Sequence, residues 1–158
     1  MIENRINSYP MADLVPIICE FLAEGKNVTI TARGNSMRPT LADSRDRLTL
    51  SPCDPHDLCV GDVVLYRRDS GGYVVHRIVE KEKDCFTMMG DCQANREKNI
   101  RTDQVLAKLT SFVRKGRAVS CADKGYLRFT RFWTGSYFWR RVYIRLYWAL
   151  QKFKKTRV

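Results

Sequence analysis

The chain has 158 residues, 44% of them hydrophobic and 28% charged, which is enough for one globular domain with a real core and excludes a disordered chain, a collagen or a two-domain enzyme. No stretch reaches the ~20 apolar residues of a spanning helix, and the first residues lack the basic-then-apolar order of a secretory signal. The net charge of +11 is concentrated at one end: residues 124–158 hold ten Lys and Arg, no acid and eleven of the seventeen aromatic residues, whereas residues 1–123 carry eighteen bases against seventeen acids. That contrast divides the chain into a body, 1–123, and a basic aromatic tail, 124–158.

In residues 11–24, Leu14, Ile17, Ile18, Phe21 and Leu22 recur at helical spacing, with Gly25 as a stop. Residues 27–32 (NVTITA) are β-branched and read as a strand, followed by the turn-like RGNSMRPT. Strands are expected at 47–50, 62–67, 73–79, 85–90 and 105–116, with Gly71-Gly72 marking a hairpin between 62–67 and 73–79. Many short strands with turn residues between them predict a mostly β body of the α+β class, opened by the N-terminal helix.

Six cysteines (Cys19, Cys53, Cys59, Cys85, Cys92 and Cys121) form no Cys-x-x-Cys pair, and the two histidines lie outside finger-like spacing. Reduced thiols in a cytoplasmic setting are the expectation, with no metal and no cofactor. Ser36 follows the 27–32 strand in a turn where Gly34 lets the backbone come close to a ligand and Pro39 stiffens the chain just after it. A serine so placed presents its hydroxyl and nearby backbone N–H groups to a carbonyl, as acyl transfer requires, but it needs a base. His56 lies in the polar loop DPHDL and reads as a solvated turn residue. His76 lies inside YVVHRIV. Alternation puts it with Val74 and Ile78, so either apolar neighbours share its face or the strand is buried on both sides. It is a hydrogen-bonded core histidine or a general base.

The ordered segments GNSMRPTL, GDVVLYRR, YVVHRIV and MMGD, spanning about residues 28–110, resemble the boxes of the signal peptidase I superfamily, which includes the LexA-type self-cleaving repressors. The resemblance implies a β-rich catalytic fold, with Ser36 as nucleophile. His76-Arg77 matches the members whose base is histidine, and no lysine occupies that box. An acid to orient the imidazole is implied in or after Gly90-Asp91, either Asp91 itself or Glu97. The backbone of Ser36 and the Gly34-Asn35 turn would hold the oxyanion. Arg33, Met37 and Pro39 flank the site, and a peptide would lie extended along Ile30–Arg33 as an added strand. The implied activity is hydrolysis of a peptide bond in a signal, leader or propeptide segment. The family's spanning anchor ahead of the nucleophile box has no counterpart here, because Asp13, Glu20 and Glu24 interrupt the apolar run.

From Ser136 onward the tail has helical periodicity. Trp139, Val142, Tyr143, Leu146, Ala149, Leu150 and Phe153 fall on one side, and Arg140, Arg141, Arg145, Gln151, Lys152 and Lys155 on the other, with Ile144 and Trp148 intruding on the polar arc. A basic helix with bordering aromatics suits an anionic membrane surface, contacted through Trp139, Arg140, Arg141, Arg145, Trp148 and Lys152. The expectation is a peripheral, membrane-associated serine endopeptidase. The alternatives are a catalytically degenerate body that binds lipid or nucleic acid, nucleic acid being the less favoured partner, and a self-cleaving repressor-like peptidase. For the tail, docking on its own body or on a partner also stays open.

Overall fold

A computed structural model of the chain describes residues 11–155. Its elements are α1 (Met11–Ala23), β1 (Val28–Thr31), β2 (Arg47–Ser51), β3 (Val63–Arg67), β4 (Tyr73–Lys81), β5 (Cys85–Met89), β6 (Glu97–Arg101), β7 (Val105–Arg114), β8 (Arg117–Ser120), α2 (Lys124–Gly135) and α3 (Tyr137–Lys155). This is the β-rich α+β class expected. Helix α1 ends where Gly25 adopts φ +75: the Gly25 N–H donates to Leu22 O and the Lys26 N–H to Phe21 O, closing the last turn.

All eight strands join one antiparallel sheet in the order β1-β2-β7-β3-β4-β5-β6, with β8 also pairing β7. β7 is the hub. Lys108 pairs with both Ser51 of β2 and Val64 of β3, so those strands flank it, and β8 continues the β3 side from Ser111 to Arg114. The two sheet faces carry separate cores. One gathers Leu48, Leu50, Val63, Leu65, Leu109 and Phe112 under Ile18 and Leu22 of α1, together with Met37 and Leu41 of the turn after β1. The other gathers Leu58, Val64, Tyr66, Ile78, Phe86, Met88 and Ile100. β3 therefore buries both its faces, which explains its unbroken apolar run.

Three elements depart from expectation. The run 105–116 is β7 followed by a turn at Lys115-Gly116, both in left-handed backbone, and that turn leads into β8, a strand beyond the expected run. β6 was not anticipated, because EKNIR buries only Ile100 and shows no alternation. The tail contains two helices that break at Ser136 (φ −105, ψ 71), and α2 precedes the expected one. Both pack on the body. Thr130 of α2 and Arg140 of α3 are buried, and Trp133 of α2 meets Tyr143 of α3 edge-on at 5.4 Å between ring centres.

Candidate active site

Strand register sorts the candidate residues. His76 pairs with Val64, and Ile78 with Met88, which in turn pairs with Glu97. Paired residues share a face, so His76, Tyr66 and Glu97 lie on one side of the sheet. Arg77 pairs with Met89, and Asp91, two residues on, shares the opposite face with it. The segment at His76–Ile78 is buried on both sides.

The two candidate acids thereby separate. Glu97 Oε1 lies 3.3 Å from His76 Nδ1, and Tyr66 Oη lies 3.2 Å from the same nitrogen. The Tyr66 hydroxyl donates to Glu97 Oε2 at 2.9 Å. Its one hydrogen is thus committed, so at His76 it acts as acceptor and the network assigns the imidazole proton to Nδ1. Arg68 forks onto both Glu97 oxygens, Nε to Oε2 at 2.7 Å and Nη2 to Oε1. Among the described residues His76 Nε2 has no hydrogen-bond partner, and the side chain is 2% exposed. Burial holds the imidazole below its ordinary value, opposed by the nearby Glu97 carboxylate. The hydrogen bonds from Arg68 hold Glu97 below the usual carboxylate range. The ring is therefore neutral at pH 7, with a lone pair on Nε2, the state a general base requires.

Asp91 is instead the centre of a buried charge pair. Arg77 Nε and Nη2 reach its two oxygens at 2.8 and 2.6 Å, and both side chains are fully buried. Thr40 donates to Asp91 Oδ2. Arg77 Nη2 reaches Thr40 Oγ1 at 3.1 Å, and Arg77 Nη1 reaches Gly61 O at 2.7 Å and Thr130 Oγ1 at 3.3 Å. Burial alone would depress the guanidinium, but Asp91 raises it. This pair ties the turn after β1 to the end of β5.

Ser36 is half-buried in that turn. Cys92 N–H donates to Ser36 O at 2.7 Å. A Cβ at Gly90 would stand 2.8 Å from Ser36 O, so only glycine permits this approach without a shift. Continuing the β4–β5 register one step past Met89 brings Gly90 level with His76 and onto its face. The turn thus carries Ser36 beside the strand position that faces the imidazole. Ser36 Oγ makes no hydrogen bond to His76 or to any other described residue.

The other expected residues are placed as follows. Gly34 has φ +79 and donates its N–H to Asp43 Oδ1 at 2.8 Å, so it is no free oxyanion donor, a correction to that expectation. Asn35 Oδ1 accepts from Arg38 Nε. Met37 is buried in the core and anchors the turn instead of lining a substrate cleft. Arg33 Nη1 donates to Ser44 Oγ, and Pro39 O accepts from Arg114 Nη2. Among the described residues the Ser36 N–H has no protein acceptor, which leaves it available to a carbonyl oxygen. β1, just ahead, is an edge strand of the sheet. His56 is exposed and takes no part.

Arg140 was expected at a membrane surface, and the structure corrects this. It is 2% exposed, its Nη2 donates to Gly90 O at 2.6 Å, and it lies 3.8 Å from Asp91 Oδ1. Burial holds its guanidinium below the ordinary value, although Asp91 opposes this. Trp139, Arg141, Arg145, Trp148 and Lys152 are exposed, and the side chains of Phe153 and Lys155 lie outside the described residues. Sequence reasoning gave no role to Tyr66 or Arg68, and to Arg140 only the membrane contact that its burial corrects. The first two were within reach: the Gly71-Gly72 hairpin pairs Tyr66 with Val74, diagonal to His76. No protein-family model matches the chain, and no curated protein does.

Proposed function

We propose that the protein is a serine endopeptidase with a signal-peptidase-like catalytic body, acting on extended peptide segments of the signal, leader or propeptide kind. The observation that carries this reading is the buried His76 imidazole, its Nδ1 engaged by Tyr66 and Glu97 and its Nε2 unoccupied, next to the strand position that Ser36 packs against. A peptide added as a strand along the free edge of β1 would lie with one end at Ser36. Ser36 Oγ attacks the scissile carbonyl while His76 Nε2 takes its proton, and Glu97 offsets the imidazolium charge. The Ser36 N–H donates to the developing oxyanion. His76 then protonates the leaving amine, and a water deprotonated by the same nitrogen releases the acyl group. The scheme requires Ser36 Oγ and His76 Nε2 to close to hydrogen-bonding distance when substrate fills the site, since catalytic hydrogen bonds are commonly long without ligand.

One observation favours a second reading, a peptidase body that binds without cleaving: Ser36 Oγ has no hydrogen bond to His76. A fluorogenic peptide library biased to small residues before the scissile bond separates the two. The peptidase reading expects turnover by the wild-type protein and a loss of roughly 1000-fold or more in Ser36→Ala and in His76→Ala, with folding retained. No cleavage by the wild type selects the second reading, and equal cleavage by Ser36→Ala refutes Ser36 as the nucleophile.

A further inference from the structure

Helix α3 packs on the body by an unexpected stripe. Arg140, Tyr143, Ile144, Tyr147 and Gln151 turn inward, and Tyr147 lies under the Arg38 guanidinium at 5.6 Å. An amphipathic helix on its own sheet normally turns its apolar strip to the core. Here that strip faces solvent: Phe138, Leu146 and Leu150 are 69%, 60% and 62% exposed, with Trp139 along the edge. At about 100° per residue, Arg141, Arg145 and Lys152 form a second outward strip beside it. No acid occurs in residues 124–158.

We propose that the outward face of α3 docks on an anionic lipid surface, the helix lying in the plane of the interface. The apolar strip enters the acyl boundary while the three cations sit at the level of the phosphates. Trp139 and Trp148 flank the strips, where the indole ring suits the interface. No helix among the described residues is long and apolar enough to cross a membrane. A second copy of the chain would set cationic strip against cationic strip. Nucleic acid would answer the charge but leave aliphatic Leu146 and Leu150 without a partner. The proposal stands apart from the peptidase reading, because it uses none of the residues of that site.

The test is partition of the full chain onto sedimented vesicles of neutral phosphatidylcholine alone, or with about 30% phosphatidylserine. Binding is expected to the anionic vesicles and to weaken with salt. The triple variant Arg141→Gln/Arg145→Gln/Lys152→Gln is expected to lose roughly 100-fold in partition, about fivefold per cation. Phe138→Ser/Leu146→Ser/Leu150→Ser is expected to lose at least as much. These side chains are exposed, so circular dichroism of both variants is expected to match the wild type. The proposal is overturned if the wild type does not partition, if either triple variant partitions as the wild type does, or if neutral vesicles bind equally. It is also overturned by a dimer that the apolar triple variant dissolves, or by oligonucleotide retention without vesicle binding.

Discussion

Asp91→Asn and Glu97→Gln make opposite predictions, because the two carboxylates do different work. Asp91 is sealed from solvent and fully engaged with Arg77. Converting it to asparagine leaves a guanidinium in the interior without its counter-charge. Breaking a buried ion pair from one side costs about 3–5 kcal/mol, a large share of the ~5–15 kcal/mol that holds a domain folded. For a chain of this size the melting temperature is expected to fall by roughly 10 °C. Glu97 is a partly exposed ion-pair partner of Arg68, so Glu97→Gln is expected to cost about 1 kcal/mol. Its effect on kcat is expected to be roughly 100-fold or more, because the imidazole loses its orienting acid. Thermal melts by circular dichroism and turnover at a temperature where both variants are folded measure the two quantities. An Asp91→Asn melt within about 2 °C of wild type, or a Glu97→Gln variant with normal kcat, refutes the division of roles.

The remaining predictions use the same geometry. Gly90→Ala places a methyl group against Ser36 O; the turn must move, and kcat is expected to fall roughly 100-fold, with the KM change smaller. Arg140→Ala removes the donor to Gly90 O and is expected to cost about 2 kcal/mol in a urea melt; an unchanged midpoint counts against the bracing role. The lowered pKa of His76 means that the unfolded chain takes up a proton first as pH falls through 6.5. Stability is therefore full above that value and declines below it, down to the folded pKa; urea midpoints at pH 7.5 and 5.5 are expected to differ in the wild type and to converge in His76→Asn. The acid limb of kcat/KM is expected below pH 6.5, and to move lower still in Glu97→Gln, where a charge that raises the imidazole is removed.

The body's architecture was legible wherever one physical signal dominated. β-branched runs and the Gly71-Gly72 turn mark β1, β3 and β4, and apolar spacing marks α1. β6 was hidden because its residues are mostly exposed, and α2 because KGYLRFTRFWTG begins and ends near glycine and draws its order from packing on Arg77 and Gly61. The choice between the two acids stayed open in the sequence for a different reason. Asp91 and Glu97 are close in sequence, and only the register of three strands decides which face each joins. The tail misled because periodicity reports which side of a helix is apolar, not which side the body grips. Arg140 is held by one backbone carbonyl, a preference no local pattern encodes.

That grip has a consequence for how the molecule can be taken apart. Thr130 and Tyr126 of α2 lie on the Arg77 guanidinium, and Arg140 of α3 holds Gly90 O. Trimming the chain ahead of Lys124 would therefore not merely shed two surface helices. It would also unroof a charge in the middle of the body and slacken the peptide that abuts Ser36. The proposed attachment and the proposed turnover are therefore to be dissected by point substitution on the outer surface of α3, and not by deletion.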